Sequence, residues 1–169
     1  MLKECREKLS LALKAAGIKT NIITTGKKLA TNYDSHIGAV LFVKESLERD
    51  GSKKIYGERD DRKKRTRIFK RTVTFNIIIG ERDYNTTEAI YERFLSIIGS
   101  GFYLNGDYIY LEVEESDWVD EEDSILKAKV AVQVSINCVG GMYKDTEYTK
   151  IEDILINVDK EAENERKHK

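Results

Sequence analysis

Few residues in this chain are of types that do chemistry, and their spacing is unpromising. There are two histidines, His36 and His168. His36 follows Asp34 and Ser35, the three residue types of a hydrolytic triad. A triad, however, is made by residues that meet in space, and three neighbours in a loop-like stretch do not make one. His168 lies in a charged C-terminal stretch. The two cysteines, Cys5 and Cys138, lack the C-x-x-C spacing of a zinc or redox site and read as buried free thiols. Gly99-Ser100-Gly101 follows a helical pattern, not a strand, so it reads as a helix stop and turn and not as a phosphate cradle. We therefore expect no catalytic residue, no metal ligand and no cofactor, and a protein that is not an enzyme.

Two charged segments are better suited to binding. Between Arg59 and Arg71 lie eight Lys or Arg against two Asp, and between Glu112 and Asp123 lie eight Asp or Glu with no Lys or Arg. The basic stretch, with Phe69 inside it, could neutralise phosphates while the ring stacks on a base. A net charge of -1, one aromatic in the stretch and no nucleic-acid motif argue against nucleic acid as a specific ligand. The other readings are a solvated hairpin or a surface that meets the acidic face of a neighbour. The acidic run from Asp117 to Asp123 could hold Ca²⁺, but it lacks EF-hand spacing and its glycine. It reads otherwise as a solvated loop or as an electrostatic contact with another subunit. Trp118 is either an interface anchor or a core residue at the end of a strand.

These segments must be carried by regular elements, and the apolar periodicity locates most of them. Leu2, Cys5, Leu9, Ala12, Leu13 and Ala16 recur at three- and four-residue spacing before Gly17, which predicts an amphipathic helix over 2–16. Residues 21–25 form a short β-like run. Residues 37–43 are wholly apolar and fit a central strand. Residues 44–71 turn hydrophilic, with a short strand at 53–56, and form either a loop or the arm of a long β-hairpin. Val73, Phe75, Ile77 and Ile79 alternate in a strand ended by Gly80. Asn85-Thr86-Thr87-Glu88 resembles a capping box that opens a helix closed by Gly99. A strand at 102–104 leads into Asn105-Gly106, a strong hairpin signal, and 108–113 returns. After an acidic loop, 130–138 alternate as a long strand. Residues 151–158 suggest a last strand, and 159–169 a charged tail.

The expected fold is α+β, a mainly antiparallel sheet with two helices on one face and a long charged hairpin or loop insertion over 44–71. One domain over 1–158 suits this length. Proline is absent, so strand edges must be protected by charge or by a partner. No apolar run is long enough to span a bilayer, and the N-terminus reads as too polar for a signal peptide, so no membrane partner is expected.

The order of these elements, with Arg71-Thr72-Val73-Thr74-Phe75-Asn76-Ile77-Ile78-Ile79, the helix after it, the Asn105-Gly106 hairpin and the closing strand, resembles the tail-terminator, or tail-completion, proteins of long-tailed phages and phage-like contractile particles. The likeness covers residues 2–145. It implies a structural subunit, made in a bacterial cytoplasm and placed in the particle tail, that forms a hexameric homo-oligomeric ring on the head-proximal end of the tail tube. The ring would end tube growth and present a joining surface to the head or collar. Its partners would be the tail-tube protein, sheath and head-connector proteins. The alternatives are another head–tail connector or tube subunit, or a nucleic-acid module using 62–71. A closed ring joins one patch to a different patch on the next copy. Arg62, Lys63, Lys64, Arg65 and Arg67 are the candidate basic patch, and Trp118, Asp120, Glu121, Glu122 and Asp123 the candidate acidic one.

Overall fold

The row Val73, Phe75, Ile77 and Ile79, all fully buried, anchors the architecture of the computed structural model, which describes residues 1–57, 62–119 and 130–147. The elements run α1 (Leu2–Ala16), α2 (Gly26–Ala30), β1 (Ile37–Arg49), β2 (Lys53–Tyr56), β3 (Lys63–Glu81), α3 (Tyr84–Ile98), β4 (Gly101–Leu104), β5 (Asp107–Val119) and β6 (Val130–Glu147). The strands form one sheet in the order β1-β3-β6-β5-β4, with β2 pairing β3 beyond the end of β1. Every strand pairing is antiparallel. The fold is α+β, as the sequence predicts.

Paired residues share a face, so the register shows what the helices cover. Phe75 stands opposite Phe42 and Ile136, and Val73 stands opposite Cys138, itself opposite Leu111. Cys5, Leu9 and Leu13 of α1 and Ile90, Phe94 and Ile98 of α3 join this same cluster. Both long helices therefore pack on one face of the sheet. Complete burial of a side chain such as Phe94 stabilises by about 1.5–3 kcal/mol, before the entropy of ordering it is subtracted. Gly17, at φ 127, ends α1, and the next N–H, that of Ile18, bonds back to Leu13 O at 3.1 Å. Asn105 and Gly106 have φ of 51 and 81, the two positive values a type I′ hairpin requires.

Four expectations are corrected. The apolar run 37–43 is not in a central strand, because β1 begins one side of the sheet path. Its outer backbone is satisfied by a non-strand segment: Ile23 N–H bonds to Gly38 O at 2.9 Å, and Val40 N–H to Ile23 O at 2.8 Å. The β-like run 21–25 is thus a single parallel bridge from Ile23 to Ala39, and Ile18 helps to bury this end of β1. The second long helix starts at Tyr84, with Asp83 and not Asn85 as its cap. The Asp83 carboxylate accepts from Thr86 N–H at 2.8 Å, while Thr87 is already buried in the first turn. The strands also outrun their apolar patterns. Residues 63–71 extend β3, 114–119 extend β5 and 139–147 extend β6, so Glu114, Glu115 and Asp117 belong to a strand and not to a loop. The hydrophilic region 44–71 resolves mostly into strand, at 44–49, 53–56 and 63–71, which selects the hairpin over the loop. The expected strand 151–158 and the tail 159–169 lie outside the described residues.

Candidate assembly surface

Beyond Thr72 the helix layer ends and the sheet continues as an arm made of β2 and the ends of β1, β3 and β6. Lys63 stands opposite Glu147 and Tyr56 at its far end. Without a core, the arm is held by backbone pairing and by buttressing ion pairs. At the break between β1 and β2, Asp50 N–H bonds to Ile68 O at 3.0 Å and Arg67 N–H to Ser52 O at 2.9 Å. The Asp50 carboxylate accepts from Ser52 N–H at 2.7 Å and from Arg67 Nε at 2.5 Å. Ser52 first, and then Arg67, hold this carboxyl below its ordinary range.

Arg65 is the hub of the arm. It donates through Nε and Nη2 to Asp145, both at 2.7 Å, and through Nη1 to Asp107 at 2.8 Å. Its guanidinium lies over the rings of Tyr56 and Tyr143, at 5.0 and 5.6 Å. Asp145, the larger influence, and then Asp107 raise the Arg65 pKa further, and Arg65 in turn is the main cause that depresses Asp145. This one side chain connects the arm to the start of the β4–β5 hairpin. Arg71 similarly donates to Glu45 at 2.5 Å.

Of the candidate basic residues, Arg65 and Arg67 thus meet carboxylates of their own chain. Among the described residues no carboxylate forms an ion pair with Arg62, Lys63 or Lys64. Trp118 is partly buried against the core, stacked on Tyr84 of α3 at 4.5 Å and edge-on to Tyr91 at 6.0 Å. Asp120, Glu121, Glu122 and Asp123 lie outside the described residues. Trp118 and the candidate basic residues belong to opposite ends of the sheet. Trp118 stands opposite Val132, and Val132 opposite Ile79, whereas Lys63 begins β3. Sixteen residues of strand separate those levels, roughly 50 Å at about 3.3 Å per residue.

The same arm carries a feature that sequence reasoning missed. A groove of about 640 Å³ lies between the arm and the β4–β5 hairpin, and Lys53, Lys54, Lys70, Tyr108, Tyr110 and Tyr143 are among its lining residues. Tyr103, Tyr108 and Tyr110 form an edge-to-face run with centroids 5.0 and 4.8 Å apart. No local signal marks this groove, because its residues come from β2, β3, β5 and β6; only the alternation of Tyr108 and Tyr110 hints at it.

The chain's triad-like residues take separate partners. His36 Nε2 accepts from Lys19 N–H at 2.9 Å, and its Nδ1 bonds to the nearly buried Glu81. Ser35 Oγ accepts instead from Arg82 Nε at 3.1 Å. With both ring nitrogens engaged and Ser35 turned to an arginine, His36 serves to tie β1 to β3. Cys5 and Cys138 are both buried free thiols; the neighbouring Cys5 and burial push the Cys138 thiol up. Among the described residues no group of three or more His, Cys, Asp or Glu could hold a metal ion.

No protein-family model matches the chain, and no curated protein matches it. Among solved structures, it is similar to the PVC sheath/tube terminator of an extracellular contractile injection system in its extended state. The two are 12% identical with a TM-score of 0.48, over 92% of this chain and 63% of that one. This chain therefore spans less than two thirds of that protein's length. Among the described residues no helix is long and apolar enough to cross a membrane.

Proposed function

We propose that this chain, too, is a terminator: a structural subunit that caps the head-proximal end of a tail tube as a hexameric ring, ends tube growth and forms the joining surface to head or collar. The observation that carries this reading is the placement of charge. Cations without an ion pair among the described residues gather at the far end of an arm, and the acidic strand β5 runs toward the other end of the same sheet. Lys63 and Trp118 stand too far apart along the sheet to touch within one chain, but such surfaces can meet between copies, and a contact between unlike patches generates a ring when the rotation closes. The order of elements in the sequence supports the same role. In this mechanism one ring face matches the tube end, and the other withholds the surface that the next tube subunit would need. Tube and sheath proteins are the expected neighbours, and the particle tail the expected location.

Arg62, Lys63 and Lys64, which form no ion pair among the described residues, face Asp120, Glu121, Glu122 and Asp123 of a neighbour in this reading, with Arg65 and Arg67 holding the arm in shape. Charge complementarity of this kind fixes orientation and encounter rate, while apolar contacts hold the joint. The test is the variant Lys63→Glu/Lys64→Glu, expressed in place of the native protein. Tubes of uncontrolled length without joined heads, from a variant that melts like the native chain, would support the reading. Tubes of normal length joined to heads would remove the arm from it.

A further inference from the structure

The groove beside the arm has the chemistry of a receptor for an acidic strand. Lys53, Lys54 and Lys70 are exposed, and among the described residues none of them forms an ion pair. The arginines beside them are already bonded to Asp50, Asp107 and Asp145. The groove thus presents unsatisfied cations over a wall of tyrosines. Tyr110 is 55% exposed, alternating with the buried Ile109 and Leu111 and so turned to the face away from the helices. Tyrosine is one of the residue types that anchor interfaces.

The complementary surface is on the same chain. Along its outer edge, Glu112–Asp117 of β5 has no strand partner among the described residues, because β4 pairs β5 only as far as Tyr110. Glu112, Glu114, Glu115 and Asp117 are all exposed there, next to the exposed Val113. An open strand edge is a place where another chain can add, and carboxylates decide which surface it will accept. The lengths are comparable. Counted on their β6 partners, because each segment carries a register shift, Lys70 to the level of Lys53, opposite Thr66, is roughly 10 Å, and Glu112 to Asp117 roughly 13 Å.

We propose that the groove lined by Lys53, Lys54, Lys70 and Tyr108, Tyr110, Tyr143 receives the acidic β5 edge, Glu112–Asp117, of a second copy of this chain. The proposal rests on the assembly reading and names the surface that joins one subunit to the next. The contact is heterologous, so each copy gives an edge on one side and a groove on the other. Tyrosine faces cover Val113 while the lysines pair with the carboxylates around it. Net charge is close to zero, and the two patches offset each other only when copies meet.

Two variants of the full chain test this: a groove variant, Lys53→Glu/Lys54→Glu/Lys70→Glu, and an edge variant, Glu112→Lys/Glu115→Lys/Asp117→Lys. Glu114 is left in place because it accepts from Asn137 Nδ2. Circular-dichroism melts verify that each variant folds, and sedimentation velocity at low ionic strength reads association. The native chain is expected to self-associate, and each variant alone to do so at least about tenfold more weakly. An equimolar mixture recovers association, because every groove then finds an edge of opposite charge. A native chain that stays monomeric, variants that associate like the native chain, or a mixture without recovery would overturn the proposal. So would a single-stranded oligonucleotide that binds the native chain, is lost in the groove variant and competes with no protein contact, since the occupant would then be a polyanion. Variants that assemble normally would sink the groove alone and leave the particle location, read separately on tails, untouched.

Discussion

Replacing Phe75 by alanine measures how much of the molecule depends on the helix-covered face. Phe75 is fully buried, lies at the middle of β3, faces Ile136, and meets the Phe42 ring edge-on at 6.2 Å. Removing such a ring takes away its transfer free energy and leaves a cavity, about 3–5 kcal/mol in total. Phe42, its cross-strand partner, is 43% exposed, so alanine there loses only part of the transfer term and opens onto solvent, which leads us to expect about 1–1.5 kcal/mol. With a urea dependence of about 2 kcal/mol per molar, Phe75→Ala should lower the unfolding midpoint by about 1.5–2.5 M and Phe42→Ala by well under about 1 M. Equilibrium urea unfolding followed by circular dichroism gives both numbers. Equal shifts, or a Phe75→Ala shift as small as that of Phe42→Ala, would refute the placement of α1 and α3 over this row.

Other outcomes follow from particular contacts. A Cβ at Gly101 would stand 2.0 Å from Ile109 O with φ at 153, so Gly101→Ala should cost more than about 1 kcal/mol, while Gly51→Ala, with open space around it, should stay within about 0.5 kcal/mol; thermal melts compare the two. The Asp50, Asp83 and Asp145 carboxyls are depressed below their ordinary 3.8, by Ser52, Thr86 and Arg65 respectively. The unfolded chain therefore takes up protons first as pH falls. Stability should be flat above about pH 5, then decline as pH drops through 3.8 and below, and a melting temperature unchanged down to about pH 2 would contradict this. Trp118, the sole tryptophan, stacks on Tyr84. Tyr84→Ala should shift its emission to the red in the folded protein, and an unmoved spectrum would place Trp118 elsewhere.

What the sequence made legible was what local pattern controls. The helix over 2–16, the short strand 53–56 and the Asn105-Gly106 turn are where periodicity, a glycine stop and a positive-φ pair require them. Strand length beyond the core was not legible, because residues 63–71 and 139–147 carry no apolar alternation and become strand only by pairing with each other. The short α2 was missed because none of its residues is buried and only the Thr25 side chain, accepting from Lys28 N–H, marks its start. In the candidate surface, charge segregation was visible from composition, but the division of labour within it was not. Arg65 and Lys64 are adjacent and alike in sequence. Only the fold brings Asp145, eighty positions away, to Arg65 and leaves Lys64 without an ion pair among the described residues. The groove was hidden for the same reason, since its lysines and tyrosines come from four strands.

The central claim is one of location, and location can be read directly. Gold-conjugated antibody against this protein, applied to source particles and imaged by negative-stain electron microscopy, should mark one end of the tail tube, at the head or collar. Gold on the head shell, along the length of the tube, or absent from particles whose tube ends are accessible would contradict the account.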